Sequence, residues 1–494
     1  MYEGGVPLMV GKVHEELQLN DQLTVTLTAE EEFPDFIIRT ITVQCESQSR
    51  VIRQFHYISW PDHGVPESTA VTVTILRRAK AARTPGGGPM VVHCSAGVGR
   101  TGTLLAIDYN MDRSAKTGTI DVFGTLNEMR RQRSTMVQTE EQYIFIYRTL
   151  ADACSQTATE MSPEALRKHY TELHNSVSEG GTVLEAEFKR VSDFAPPALR
   201  TDSAQLAANK PKNRFQNILP YENTRVKLQA IPGVVGSDYI NASWIDGFKQ
   251  KSAFIATQGP MEHTVSDFWR MIWERECHGI VMLTALSESG RVKSEQYWPD
   301  PDEPPLSAGD YQIVLRGEVN LGWCVERTLQ IVDLVSETAR EVRHWQYLAW
   351  PASGIPQTGR SLVELIQRVE TYERSLVVVA EESIYGNAKA IAEQAILKQM
   401  RPVVVHCSAG VGRTGVYCAL AICIKRIQEE QKMDLATVTK HLRTQRPAMI
   451  QTAEQYEFVY RCIIDYLDLS VGELVYIYMQ RLGYFDIFYI KKIL

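Results

Sequence analysis

The dodecapeptide VVHCSAGVGRTG occurs twice in this chain, at 91–102 and again at 404–415. An identity of that length within one chain marks an internal duplication, so the chain must fold as two related units. The match continues past the motif. MVQTEEQY (136–143) parallels MIQTAEQY (449–456), and the interval from cysteine to first glutamine is the same, 94 to 138 and 407 to 451. Upstream, VIRQFHYISWPDHGVP (51–66) parallels VRHWQYLAWPASGIP (342–356). The interval from Trp350 to Cys407 is longer than that from Trp60 to Cys94, and the extra residues are expected within 376–400.

The copies differ most at their starts. The second carries KPKNRFQNILPYENTRV (210–226), SDYINASWIDGF (237–248), FIATQGP (254–260), DFWRMIW (267–273) and QYWP (296–299). The first has no counterpart to these, so it reads as truncated, or the chain as a fragment or an alternative product. The polar stretch 154–164 (CSQTATEMSPE) reads as the link between units, its Ser-Pro-Glu ending suited to a helix cap and first turn.

Short β-rich runs predict strands at 23–28, 36–43 and 90–93. Helical spacing of apolar residues follows Arg100 and recurs over 120–131 and 139–150. Cys94 is therefore expected to leave a buried strand and enter a glycine-rich loop that opens a helix. Such a loop is an anion nest, with backbone N–H groups pointing inward and a helix N-terminus adding positive potential. The same field favours Cys94 as thiolate. Arg100 supplies a planar fork for two oxygens of a phosphate-like dianion. Thr101, and Thr414 in the second copy, can donate to the sulfur as it leaves.

With 494 residues, 44% hydrophobic and 22% charged, the chain has material for two large domains or about three smaller ones. A formal charge of −7 gives no reason to expect nucleic-acid binding. There is no apolar run of about 18 residues to span a membrane, and the N-terminus lacks a signal-peptide pattern. Nine cysteines without framework spacing suggest a soluble, reduced, intracellular chain rather than a disulfide scaffold. Outside Cys94 and Cys407, buried structural thiols are expected at Cys45, Cys154, Cys277, Cys324, Cys418, Cys423 and Cys462. No metal site is expected, because no His/Cys/Asp cluster has ligand spacing.

The cysteine motif, the upstream Trp-Pro-Asp and the downstream QTxEQY together resemble the cytoplasmic part of a tandem, receptor-type protein tyrosine phosphatase, over about 23–153 and 185–468. The resemblance implies an α/β fold, a highly twisted mixed sheet flanked by helices, in two tandem copies with the first incomplete. The domains would be 21–154 and 165–469. It implies hydrolysis of phosphotyrosine through a cysteinyl-phosphate. Cys94 would be nucleophile, Asp62 acid and then base, and Arg100 phosphate clamp. Gln138 and Gln142 would position water, and His93 would hold the loop. Ser95, Ala96, Gly97, Val98, Gly99 and Thr101 would cradle the phosphate. The Trp-Pro-Asp at 298–300 belongs to the QYWP segment and not to the acid loop.

In the second copy the counterparts are Cys407, Arg413, Thr414, Gln451 and Gln455, with Ser408, Ala409, Gly410, Val411 and Gly412 as cradle. Glu288 and Lys293 match a glutamate loop near the arginine, and Phe215 in Lys212-Asn213-Arg214-Phe215 stands where a phosphotyrosine ring would stack. The acid loop reads Trp350-Pro351-Ala352, so its general acid is gone. The second copy should bind phosphotyrosine and turn it over poorly. The other reading is that both copies are impaired and the chain is a phosphotyrosine-binding scaffold or substrate-trap-like pseudophosphatase. No cofactor is implied. Partners would be phosphotyrosine proteins, with contact between the two domains allowed by the tandem. The chain would be cytoplasmic, tied to a plasma membrane only through a parent receptor segment. Residues 1–20 match nothing recognised, and 471–494 read as a packed or interfacial helix.

Overall fold

The computed structural model describes residues 13–84, 87–155, 159–175, 177–178, 181–194, 199–382 and 401–481. They form two compact units, one built mainly from residues up to Thr159 and the other mainly from Glu160 onward.

The first unit has a four-stranded antiparallel sheet in sequence order, β1 (Glu16–Asn20), β2 (Leu23–Glu32), β3 (Phe36–Cys45) and β4 (Gln48–Tyr57). Alternation along β3 turns Phe36 and Ile38 inward, where they meet Val71 and Ile75 of the helix Thr69–Ala81. Three further helices, Gly99–Thr117, Val122–Gln132 and Glu140–Ser155, enclose Ala106, Ile107, Leu126, Phe145 and Ile146 together with Trp60. Asp121 caps the second of these by accepting from the Gly124 N–H at 2.7 Å. The helices foreseen at 120–131 and 139–150 are present, and β1 begins ahead of the foreseen start at 21.

The second unit has two small hairpins, β5 (Val177–Ser178) with β6 (Gly181–Thr182) and β11 (Ser287–Glu288) with β12 (Arg291–Val292). Its main sheet has nine strands: β7 (Arg225–Lys227), β8 (Tyr239–Ile245), β9 (Phe254–Thr257), β10 (Gly279–Met282), β13 (Leu306–Ala308), β14 (Tyr311–Asn320), β15 (Cys324–Asp333), β16 (Thr338–Tyr347) and β17 (Val403–His406). Their order is β13-β14-β15-β16-β10-β17-β9-β8-β7. The centre, β16-β10-β17-β9, is parallel and both flanks are antiparallel, so the sheet is mixed, with helices packed on it. Parallel strands need cover on both faces. Accordingly β17 is buried along its whole length, and the helix Val265–Glu274 presses Phe268, Trp269 and Ile272 onto Ile280, Ile313, Leu329 and Val404. The helix Pro163–Asn175 opens behind Ser162 as foreseen and belongs to this unit.

The duplication is visible in the backbone. Strands β14, β15 and β16 repeat β2, β3 and β4 in length, and the register slip between Leu27 and Ala29 recurs between Leu315 and Gly317. One sequence expectation fails. Residues 90–93 are not a strand, Cys94 does not leave a buried strand, and Val91 is 84% exposed. The identical residues Val404-Val405-His406 are a strand because β10 and β9 flank them. Among the described residues the first unit has no strand in either place, and an apolar run without ladder partners has no reason to be extended and buried.

The foreseen insertion at 376–400 begins inside the helix Arg360–Glu382, and 383–400 lie outside the described residues. The foreseen terminal helix is the end of Ala453–Arg481; 482–494, like 1–12, lie outside the described residues.

Candidate active site

In the second unit β17, inside the sheet, ends at His406 and passes at its C-terminal end into Cys407 and the loop, and the helix Gly412–Glu430 starts at the far end of that loop. Each carbonyl between them is tied from outside the loop. His406 Nδ1 lies 3.2 Å from Cys407 O, and Gly259 N–H donates to Ser408 O at 2.9 Å. Arg446 donates to Ala409 O at 3.1 Å and to Gly410 O at 2.8 Å, and the N–H groups of Gly415 and Ile450 donate to Val411 O. A trans peptide holds its N–H opposite its C=O, so carbonyls drawn outward turn the N–H groups toward the centre of the loop. Gly410 sits at φ +70°, and a Cβ there would stand 2.1 Å from Thr257 O, so glycine is required for backbone and for space.

Cys407 is buried at the base of this cradle, and the Thr414 hydroxyl donates to its Sγ at 3.3 Å. Arg413 is held in a bidentate pair by Glu288, at 2.5 and 2.9 Å, and also reaches Leu283 O and Pro351 O. Burial pushes the Glu288 carboxyl up, but the Arg413 guanidinium outweighs it and holds the carboxyl below the usual range. Gln451 and Gln455 close over Gly412, whose missing side chain leaves them room: a Cβ there would stand 2.8 Å from Gln451 Oε1. Phe215 is 41% exposed, and its neighbour Arg214 is tied to Gly259 O and Pro260 O, next to the cradle's own tether. The Trp-Pro-Asp decoy is structural: Trp298 is buried and Asp300 accepts from Gln296.

The first unit repeats the cysteine, the arginine and the two glutamines on a thinner frame. Gly97 N–H donates to Cys94 Sγ at 3.2 Å, with Gly97 at φ +71°. Partial burial pushes the Cys94 thiol up, but the Thr101 hydroxyl and the backbone N–H groups of Thr101, Gly97 and Val98 prevail and hold it down at about 7. The Thr101 hydroxyl approaches the sulfur at looser geometry than Thr414. Arg100 donates to Pro61 O at 2.9 Å, as Arg413 does to Pro351 O, and the Asp62 carboxylate lies 3.5 Å from Arg100. Gln138 and Gln142 lie over Gly99 as their counterparts lie over Gly412.

The outer ties are fewer. Arg133 donates to Ala96 O at 3.1 Å, but among the described residues Ser95 O and Gly97 O have no such partner. His93, Ser95 and Ala96 are exposed. Two of the remaining thiols also differ from expectation: Cys45 and Cys154 are exposed, at a strand end and near a helix end, while Cys277, Cys324, Cys418, Cys423 and Cys462 are buried. Burial pushes Cys277, Cys324 and Cys423 up to about 12.

A family model described as protein-tyrosine phosphatase matches residues 11–152 and 209–465.

The chain belongs to the protein-tyrosine phosphatase family.

Among curated relatives it is 42% identical over 448 residues to receptor-type tyrosine-protein phosphatase F of Danio rerio, covering 90% of this chain and 22% of that one. It is 39% identical over 451 residues to tyrosine-protein phosphatase Lar of Drosophila melanogaster, covering 90% of this chain and 21% of that one. It is 37% identical over 441 residues to human receptor-type tyrosine-protein phosphatase alpha, covering 88% of this chain and 52% of that one. The chain thus spans between about a fifth and a half of these tyrosine phosphatases. Among the described residues no helix is long and apolar enough to cross a membrane.

Sequence reasoning missed the groups behind the tyrosine-phosphatase loop, chiefly Arg446, Gly259 and Tyr297. Arg446 is fully buried and also reaches Asn241 and Ser243. Its signal was present, since QR at 132–133 recurs at 445–446, a few residues ahead of the repeat that was read.

Proposed function

We propose that this chain hydrolyses phosphotyrosine in proteins at the Cys94 site, and that the Cys407 site binds phosphotyrosine with little turnover. The observation that carries this reading is the gathering of three reacting groups in the first unit. Cys94 Sγ accepts from the loop, Arg100 grips Pro61 O, and Asp62 is thereby brought to 3.5 Å from the same guanidinium. Cys94 Sγ attacks phosphorus as the tyrosine P–O bond breaks, and Asp62 gives its proton to the departing oxygen. Water placed by Gln138 then attacks phosphorus, Asp62 takes its proton, and the S–P bond breaks to release phosphate. Arg100 and the inward N–H groups hold the phosphoryl oxygens through both steps. In the second unit the cradle is complete and Ala352 offers no proton. We place both sites on the cytoplasmic side, in keeping with the receptor-type relatives.

Exchanging the acid tests this. Asp62→Ala should lower kcat on a phosphotyrosyl peptide by about 10²- to 10⁴-fold with little change in KM. In a Cys94→Ser background, Ala352→Asp should raise turnover at the second site by at least about tenfold. Unchanged kcat in Asp62→Ala would overturn the assignment of the acid.

A further inference from the structure

A buried line of hydrogen bonds runs behind the second cradle. Arg327 Nη1 is 3.4 Å from His344 Nδ1, His344 Nε2 is 2.9 Å from Tyr297 Oη, Tyr297 Oη is 2.7 Å from His406 Nε2, and His406 Nδ1 is 3.2 Å from Cys407 O. His344 and His406 are fully buried, as is Tyr297.

The polarity of this line is fixed at both ends, by a guanidinium that only donates and a Cys407 carbonyl that only accepts. A guanidinium only donates, so His344 Nδ1 must accept and carries no proton. A neutral imidazole then has its proton on Nε2, which donates to Tyr297 Oη. The phenol has one proton, and its other neighbour is His406 Nε2, so it donates there. His406 must therefore carry its proton on Nδ1, which donates to Cys407 O. We propose that Arg327 and His344 are positioning residues that fix the direction of this chain, and through it the tautomer of His406 and the orientation of the Cys407–Ser408 peptide. The Ser408 N–H lies opposite the Cys407 carbonyl in that peptide, so the chain's end holds this donor toward the bound phosphate.

Burial lowers His406 to about 4 and His344 well below its ordinary value, and the Arg327 charge acts on His344 in the same direction, so both rings are neutral at physiological pH. Glu318 and Gln346 hold Arg327, at 2.6 and 3.0 Å. The duplication supplies a control. There Arg39 is held by Glu30, but Gln54 stands in the register position of His344 and His56, whose Nδ1 is 3.2 Å from Arg39, stands in that of Gln346, so histidine and glutamine have changed places. There the line stops: His56 and His93 are exposed, and among the described residues no tyrosine bridges them.

The consequence for binding rests on the Cys407 loop being a phosphate site, whereas the tautomer does not, so the two fail separately. The test is ¹⁵N NMR of histidine-labelled full chain, assigned with His406→Gln, beside inorganic phosphate titration in an Arg100→Met background, which removes the clamp of the other cradle. The expected spectrum shows His406 protonated on Nδ1 and His344 on Nε2. Arg327→Met should mix both tautomers and weaken phosphate binding by about tenfold, and Arg327→Lys, which keeps a charged donor, should restore both. Tyr297→Phe should mix His406 alone. A wild-type His406 protonated on Nε2, or an unchanged His406 in a folded Arg327→Met chain, would overturn the relay. An intact tautomer response with no phosphate binding would instead remove the phosphate reading of the cradle.

Discussion

Asp62 and Ala352 follow the same Trp-Pro pair, and each loop hangs from its cradle arginine by a proline carbonyl, at 2.9 and 3.0 Å. Of the differences between the loops, Asp62 against Ala352, His63 against Ser353 and Val65 against Ile355, only the first adds a carboxyl group, and in the proposed mechanism that group decides whether a tyrosinate can leave as a phenol. Acid assistance is worth about 10²- to 10⁴-fold, more than any single hydrogen bond here supplies. At Cys94 the local balance favours a thiolate near neutrality, because loop N–H groups and Thr101 overcome partial burial. As pH rises through about 7 the thiol loses its proton, so alkylation of Cys94 by iodoacetamide should accelerate and level off above that value. Measured in a Cys407→Ser chain by mass spectrometry of the modified peptide, an inflection at the ordinary thiol value of about 8.5 would contradict this.

The same residues make a strand in one unit and an open segment in the other, so the strand is a property of neighbours and not of the sequence Val-Val-His. Val403–His406 is paired on both sides, while Val91–His93 is paired with nothing described. Hydrogen exchange should show this directly: amides of 403–406 protected to the limit of global unfolding, and those of 91–93 exchanging at rates near those of an unstructured segment. Equal protection in the two segments would mean the first copy builds the missing ladder. This is also where the sequence was least legible. The glycine-rich loop, its arginine, the acid loop and both glutamine loops were readable, because each is a contiguous motif whose chemistry depends on short spacing. Strand 90–93 was misread because an apolar run does not announce whether a partner exists. Arg446 and the Arg327–His344–Tyr297–His406 line escaped because they act across distant strands, and Cys45 and Cys154 carry no local sign of exposure.

For the whole molecule, on the proposed reading, the duplication separates two halves of one task. The second unit has the frame: a nine-stranded sheet, every carbonyl from Cys407 to Val411 tied, and Arg413 clamped by Glu288. Losing Arg446 alone would strand Ala409 O, Gly410 O and Asn241 Oδ1, at about 1–3 kcal/mol for each buried group left unpaired. The first unit has the full set of reacting groups on a cradle with fewer ties. The most direct measurement is hydrolysis of a phosphotyrosyl peptide by the full chain beside Cys94→Ser and Cys407→Ser. The account predicts that turnover disappears with Cys94→Ser and survives Cys407→Ser. Turnover that survives Cys94→Ser and disappears with Cys407→Ser would contradict it, placing the chemistry on the better-built cradle without its acid.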